Sequence, residues 1–141
     1  MAYCTQSDIL DQIDEDILVQ LTDDADAGVV DDGVVDEKIA GADALINGYC
    51  GKTYAVPFST VPALVKKFSV DIAIHDLYGR RKGAPEDRRT RYKDAVEFLK
   101  GVAKGDNSLG EDDPAATEAN TPEMSTSNPD RIFTRDTMSG F

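Results

Sequence analysis

The sequence has few of the residues from which catalytic and metal sites are usually built. Its 141 residues include one histidine, two cysteines and no tryptophan. The spacings typical of zinc sites, Cys-x-x-Cys and His-Glu-x-x-His, do not occur, and neither does a phosphate-binding glycine loop or Gly-x-Ser-x-Gly. The single histidine, His75, falls on an apolar helix face, where a hydrogen-bonded core or edge residue is commoner than a catalytic base. We therefore predict that the protein is not an enzyme and binds no cofactor or metal.

Long hydrophobic runs are absent as well. No apolar stretch approaches the 18 or so residues that a membrane-spanning helix needs. The N-terminus is polar and acidic, unlike a secretory signal. These features predict a soluble chain made in a cytoplasm and not associated with a membrane. In that compartment Cys4 and Cys50 are expected to be reduced and partly buried rather than joined in a disulfide.

A cluster of acidic residues invites a calcium-binding interpretation. The EF-hand loop needs oxygen ligands at positions 1, 3 and 5, glycine at position 6 and glutamate at position 12. If Gly28 takes position 6, two ligand positions fall on Ala25 and Ala27, and Val34 stands in place of the glutamate. The pattern therefore favours a solvated acidic loop. Its aspartates are Asp23, Asp24, Asp26, Asp31 and Asp32.

Apolar residues recur at helical spacing in three long stretches. The stripes run through Val35, Ile39, Ala42, Ile46 and Tyr49, then Val65, Phe68, Ile72 and His75, then Tyr92, Ala95, Val96, Leu99 and Val102. The middle stretch is apolar on several sides, which is typical of a central helix. No segment alternates convincingly with the period of a strand. We predict an all-α fold, a small bundle of three main helices with one or two short N-terminal helices.

Individual residues predict where the helices begin and end. Ser7 and Asp14 are candidate N-caps for the two short helices. Pro62 and Pro85 fit the starts of the second and third main helices, and Gly105 fits the end of the third. Gly41 and Gly48 weaken the first main helix, and we take them as possible sites of close helix approach.

Beyond the predicted bundle the composition changes. Residues 106–130 are rich in Ser, Thr, Pro, Asp and Glu and almost lack large apolar groups, which is typical of a flexible linker. Apolar residues return in the last eleven positions, RIFTRDTMSGF. We predict a helical domain at 1–105, an acidic linker at 106–130 and a long extended arm that ends in a docking segment at 131–141. The candidate partner-binding residues of the arm are Arg131, Ile132, Phe133, Arg135, Met138 and Phe141.

The net charge of −12 is unevenly distributed. Residues 1–60 carry 13 acidic and 2 basic side chains, whereas residues 61–105 carry 6 acidic and 11 basic ones. Such a chain suits head-to-tail contact with copies of itself, although an acidic surface that only maintains solubility is the simpler explanation. The basic cluster favours contact with the acidic half of a neighbouring subunit over binding of nucleic acid. It comprises Arg80, Arg81, Lys82, Arg88, Arg89 and Arg91.

Several segments, taken in order, resemble one known family. They are YCTQSDIL at the start, LTDD at 21–24, INGYCGKTYAVP at 46–57, the two stretches from Pro62 and Pro85, and the ending RIFTRDTMSGF. Together they resemble the small acidic protein of Mu-like phages and prophages, found among the head–tail connector genes. Relatives can carry a more calcium-like loop at 23–33. Ala25 and Ala27 break that pattern here, so metal binding is not carried over.

The resemblance implies a structural virion protein located in the neck and made in the host bacterial cytoplasm. Adaptors of this kind form a ring, usually of twelve copies, beneath the portal protein. The ring extends the channel through which double-stranded DNA passes without specific binding, and it receives the next neck or tail protein. Two alternatives remain open: a tail-side completion or terminator protein, and an acidic inhibitor that mimics DNA.

Overall fold

Five helices form the part of the chain that the computed structural model describes, residues 2–81 and 83–110. They are α1 (Gln6–Leu10), α2 (Glu15–Thr22), α3 (Asp32–Cys50), α4 (Ala63–Gly79) and α5 (Glu86–Lys104). Residues 2–81 and 83–110 contain no β-strand. The predicted all-α bundle, with three main helices and two short N-terminal ones, is therefore confirmed.

Helix α4 lies at the centre of the bundle. It packs against α3, α5 and both short helices. Every residue from Phe68 to Ile74 is buried, so the middle of α4 is covered on all its sides, as its apolar residues predicted. Because α4 contacts all four of the other described helices, it is the helix around which the bundle packs.

The predicted apolar stripes form the core. Val35, Ile39, Ala42 and Ile46 of α3 are buried, as are Val65, Phe68 and Ile72 of α4. On α5, Ala95, Leu99 and Val102 are buried, whereas Tyr92, Val96 and Phe98 are only partly covered, as is Tyr49 of α3. Phe98 contacts Phe68, with ring centroids 5.2 Å apart. Within the described residues no helix is long and apolar enough to cross a membrane.

Two predictions about single residues are wrong. The N-cap of α1 is Thr5 rather than Ser7: Thr5 Oγ1 accepts a hydrogen bond from the Asp8 amide, and Asp8 Oδ2 accepts one from the Thr5 amide at 2.8 Å. This reciprocal pair satisfies two backbone donors at the helix start. Gly41 and Gly48 mark no close approach, because a Cβ atom at either position would have no neighbour within 4 Å.

The other predicted helix ends are confirmed. Pro62 and Pro85 precede α4 and α5, and Asp14 is the N-cap of α2, although its side chain makes no capping hydrogen bond. Gly105 ends α5 with a φ of 89°, in the left-handed region that glycine adopts without strain.

The packed chain continues past residue 105. Leu109 is buried, and its amide donates to the Tyr54 hydroxyl at 3.3 Å. Asn107 Nδ2 donates to the Phe98 carbonyl, and it lies so close to Gly101 that a Cβ there would be 2.1 Å away. Residues 106–109, which composition assigned to the linker, therefore cover the C-terminal end of α5. The rest of the predicted linker and the arm, 111–141, lie outside the described residues.

Candidate functional site

The turn between α4 and α5 brings much of the predicted basic cluster to one end of the bundle. Helix α4 ends at Gly79, and Gly83 has a φ of 79°, which reverses the chain at little steric cost. Ala84 is buried and anchors the turn before α5 begins. The arginines on either side of this turn consequently face the N-terminal third of the same chain.

Arg80 and Arg81 bind the loop between α2 and α3. Arg80 donates to the Leu21 carbonyl and to Asp24 Oδ2, each at 2.6 Å. Arg81 donates to Asp24 Oδ1 at 2.6 Å and to the Asp23 carbonyl at 3.1 Å. One carboxylate is thus shared by two guanidinium groups, and the loop is fixed to the end of α4.

The acidic loop is organised by its own backbone. Asp23 accepts hydrogen bonds from the Ala27 amide at 2.9 Å and the Gly28 amide at 2.7 Å. These two bonds lower the pKa of the Asp23 carboxyl, because they favour its charged form. Among residues 2–81 and 83–110, no group of three or more His, Cys, Asp or Glu side chains is arranged to hold a metal ion. The loop is therefore closed by hydrogen bonds between its own backbone amides and the Asp23 carboxylate.

Arg88 and Arg91 contact the connection between α1 and α2. Arg88 Nη2 donates to the Gln12 carbonyl at 2.8 Å, and Arg91 Nη1 lies 3.4 Å from Gln12 Oε1. Arg88 is buried, and its Nη1 has no hydrogen-bond partner in the described part of the chain. Arg89 donates to the Ala84 carbonyl at 2.8 Å.

Arginines of the predicted basic cluster therefore contact two different segments of their own chain. Arg80 and Arg81 fasten the acidic loop, whereas Arg88 and Arg91 fasten the start of the chain. The attraction between the basic turn and the acidic half, expected between subunits, operates within one subunit. Whether the same arginines also reach a neighbour stays a prediction. Lys82 lies outside the described residues, as do the six predicted contact residues of the arm.

A groove runs beside the acidic loop. It has a volume of about 730 Å³ and is bounded by α2, the loop, the end of α4 and Pro85. We call it the α2–α4 groove. Its apolar residues include Ile17, Leu21 and Tyr78, and two aspartates, Asp23 and Asp26, stand on its loop side. Val29, in the same loop, is 62% exposed, the largest exposure of any large apolar side chain in the described residues.

A buried polar network ties the first residues of the chain to the core. The Tyr3 amide donates to Asp43 Oδ2 at 3.0 Å, and Ser69 Oγ donates to Asp43 Oδ1 at 2.8 Å. The Tyr3 hydroxyl bonds to Asn47 and accepts from the Phe58 amide at 3.2 Å. Sequence reasoning missed this network. The signal available was Asp43 itself, a carboxylate next to Ala42 on the buried face of α3.

Both cysteines are buried, and no disulfide joins them in the described structure. Cys4 Sγ lies 3.2 Å from Ser69 Oγ, beside the Asp43 network. Burial raises the pKa of the Cys4 thiol to about 11, so at neutral pH it is protonated and a poor nucleophile.

Two further titratable residues, His75 and Asp71, lie on α4 without a catalytic partner beside them in the part of the chain that the structure describes. His75 stacks on Tyr92, with ring centroids 4.0 Å apart, and its Nδ1 lies 3.3 Å from Asp76. This is the edge position that the sequence predicted. Asp71 is buried, its pKa is raised by desolvation, and among the described residues it makes no hydrogen bond. No nucleophile and base stand together at either residue.

The comparison with known proteins agrees with the sequence segments quoted above. Residues 3–127 match the protein family described as Bacteriophage Mu, Gp36. The match takes in every described helix and most of the predicted linker. The chain belongs to this phage family.

Two individual relatives support the assignment. The Mu-like prophage FluMu protein gp36 of Haemophilus influenzae is 30% identical over 141 residues, which cover 99% of this chain and 97% of the relative. Gene product J of Escherichia phage Mu is 30% identical over 111 residues, 78% of this chain and 77% of the relative. The predicted membership of a Mu-like phage and prophage family is therefore confirmed. The similarity to the Haemophilus relative extends into residues 131–141, for which a docking arm was predicted.

Proposed function

We propose that this Mu-family protein is a structural subunit of the phage neck, a head–tail connector that forms a ring beneath the portal. In that position it extends the DNA channel and presents a surface to the next neck or tail protein. The observation that carries the proposal is the form of the chain. A small helical domain of a Mu phage family is followed by an acidic linker and an arm that combines two arginines with two phenylalanines.

The charge distribution supports this proposal. The chain carries a net charge of −12, and several of its arginines are engaged by its own carboxylate and carbonyl groups. Phosphates of passing DNA would therefore meet a mainly acidic protein, which repels them rather than retaining them. The intramolecular pairing of Asp24 with Arg80 and Arg81 also makes a DNA mimic less suitable, because a mimic needs its carboxylates unpaired and turned outward.

The proposal is tested by removing the gene from the phage or prophage that carries it. We expect DNA-filled heads and complete tails to accumulate unjoined in the lysate, and joined particles to return when the full chain is supplied from a plasmid. Negative-stain electron microscopy counts the three kinds of particle. Joined, infectious particles without the protein would contradict the proposal. Tails of abnormal length beside normal heads would favour the tail-side completion protein.

A gold label on the N-terminus gives an independent measurement. A connector places the label at the junction of head and tail, on the head side once the tail has been detached. A label that leaves with the tail would favour the tail-side alternative. A label absent from the particle would favour an inhibitor or an assembly factor.

A further inference from the structure

We propose that the α2–α4 groove receives the C-terminal arm, residues 131–141, of a second copy of this chain. The inference deepens the proposed function, because it assigns one contact between ring subunits, and it rests on that function only for its role in the particle. The contact itself is a property of the purified chain. It is argued from the chemistry of the groove, the composition of the arm and the place where the described chain ends.

The groove and the arm are chemically complementary. The groove offers the apolar side chains of Ile17, Leu21 and Tyr78, and Asp23 and Asp26 border it. The arm offers the opposite arrangement, in which Ile132 and Phe133 stand between Arg131 and Arg135. The hydrogen bonds from Ala27 and Gly28 keep Asp23 ionised. A volume of about 730 Å³ is large enough for several side chains.

One carboxylate at the groove remains available to pair with an incoming cation. Arg81 also lines the groove, but its guanidinium is held by Asp24 at 2.6 Å. The side chain of Asp26 is exposed, and its carboxylate makes no hydrogen bond or ion pair among the described residues. Val29, three residues after Asp26 in the same loop, is an apolar side chain that is 62% exposed. An arm with an arginine on each side of a phenylalanine offers a cation for the Asp26 carboxylate and an apolar side chain for the groove.

The direction of the chain favours a contact between two copies over one within a single copy. The described chain leaves the domain at the C-terminal end of α5, where Leu109 meets Tyr54. The groove lies at the other end of α5, beside Pro85. The 19 residues of α5 separate these ends by about 28 Å. A contact from one end of a copy to the opposite end of the next is heterologous, and it closes into a ring when the rotation permits.

The linker is long enough for such a contact. Residues 111–130 can span at most about 70 Å when fully extended. That distance exceeds the length of α5 and reaches an adjacent subunit. It would also allow the arm to fold back onto its own domain, so the experiment must separate docking on a second copy from docking on the same copy.

Two full-length variants separate these cases. The first, with Phe133→Ala and Arg135→Glu, has a defective arm and an intact groove. The second, Ile17→Lys, has an intact arm and a groove that repels arginine. By sedimentation velocity at low salt, we expect the unchanged chain to form species larger than a dimer and each variant alone to be monomeric. Their mixture should give a heterodimer and nothing larger, because only one arm and groove pair is intact.

Three further variants complete the experiment: Val96→Lys and Asp36→Asn are matched controls, and Asp26→Asn tests the charge of the groove. Val96→Lys introduces the same charge at a half-buried position of α5 outside the groove, and should assemble like the unchanged chain. Asp26→Asn removes one carboxylate from the groove while keeping a residue that tolerates the φ of 56° at this position. It should weaken self-association by about two- to fivefold at low salt. Asp36→Asn, an exposed change on α3, should leave the association unchanged.

Several outcomes would overturn the proposal. They are an unchanged chain that is monomeric, a mixture of the variants that gives no heterodimer, and association that Val96→Lys and Ile17→Lys weaken equally. Binding of the arm only to a partner from the phage head would also overturn it. Failure here leaves the proposed function standing if gene removal still yields unjoined heads and tails. Conversely, correct heterodimers with normal joining in the deletion would retain the contact and reject the connector.

Discussion

Two regions of the helical bundle, its core and the end at the α4–α5 turn, hold distant parts of the chain together in different ways. In the core, Tyr3 and Ser69 donate to Asp43, with little access to water. At the turn end, Arg80 and Arg81 share Asp24 at the surface, where the carboxylate is 54% exposed. Buried bonds of the first kind are costly to leave unsatisfied, whereas exposed ion pairs contribute little and are weakened by salt.

The difference indicates which region is free to take part in assembly. A buried network is costly to break, because breaking it leaves donors without water. An exposed arginine pair can exchange one carboxylate for another at small cost. We therefore expect the buried core network to determine whether the domain folds, and the exposed turn end, with the adjoining α2–α4 groove, to determine how copies meet.

The largest expected effect is that of Asp43→Ala. The substitution leaves the Tyr3 amide and the Ser69 hydroxyl buried without their acceptor, and each unsatisfied donor costs about 1–3 kcal/mol. The free energy of unfolding, measured by urea denaturation, should fall by about 2–5 kcal/mol. Asp36→Ala, an exposed aspartate on the same helix, is the matched control and should change it by less than about 0.5 kcal/mol. Equal effects would remove the distinction between the buried network and the surface contacts.

A smaller loss is expected for Arg80→Ala. Arg80 donates both to the Leu21 carbonyl and to Asp24, and its side chain is only 23% exposed. Losing these bonds should lower the free energy of unfolding by about 1–2 kcal/mol in the same urea experiment. Arg81→Ala, with a side chain 39% exposed, should cost less. A loss at Arg80 as large as that at Asp43 would mean that the surface contacts matter as much for folding as the buried network.

Asp24→Asn should have a smaller effect that depends on salt. It removes both ion pairs but keeps the shape of the side chain, and exposed pairs contribute about 0.2–1 kcal/mol. The difference from the unchanged chain should largely disappear in 1 M salt, because the Debye length falls to about 3 Å. Urea denaturation at low and high salt measures it. A difference that persists at high salt would show that Asp24 acts through hydrogen-bond geometry rather than charge.

The same contrast explains what the sequence could predict. Helical periodicity and the prolines that precede α4 and α5 identified the three long helices, because those signals are local. The capping of α1 by Thr5 was present in the sequence but missed, because Thr5 has the acidic Asp8 three positions later, whereas Ser7 has Leu10 there. The position of Leu109 could not be read from a linker-like composition, since its burial depends on Tyr54, far away in the sequence.

The sequence predicted which types of residue form the candidate site, but not which of them contact one another. An excess of arginine around the α4–α5 turn and of aspartate before α3 indicated mutual attraction. Composition cannot tell whether such charges pair within one chain or between two. The fold decides this, because the turn after Gly79 brings Arg80 beside Leu21. The groove was invisible in the sequence for the same reason, since Ile17 and Tyr78 meet only after α2 packs on α4.

Asp71→Asn should have the smallest effect and the opposite sign. Asp71 is buried like Asp43 but makes no hydrogen bond among the described residues. Burial raises its pKa above the usual 3.8, despite opposing attraction from Lys67, Arg91 and Arg88. The folded state therefore holds this proton more tightly than the unfolded state. The stability that the protonated group contributes is complete below pH 3.8 and is lost as the pH rises through the raised pKa.

At pH 7 the ionised Asp71 is consequently a cost that asparagine avoids. The variant should be more stable than the unchanged chain by less than about 1 kcal/mol, and the gain should shrink as the pH is lowered from 7 toward 4. Urea denaturation at several pH values measures both trends, with Asp94→Asn, an exposed change on α5, as the control. A loss of stability at pH 7 would mean that attraction to the three cations outweighs desolvation. In that case the nearby cations, rather than hydrogen bonds, would stabilise a buried carboxylate at this position.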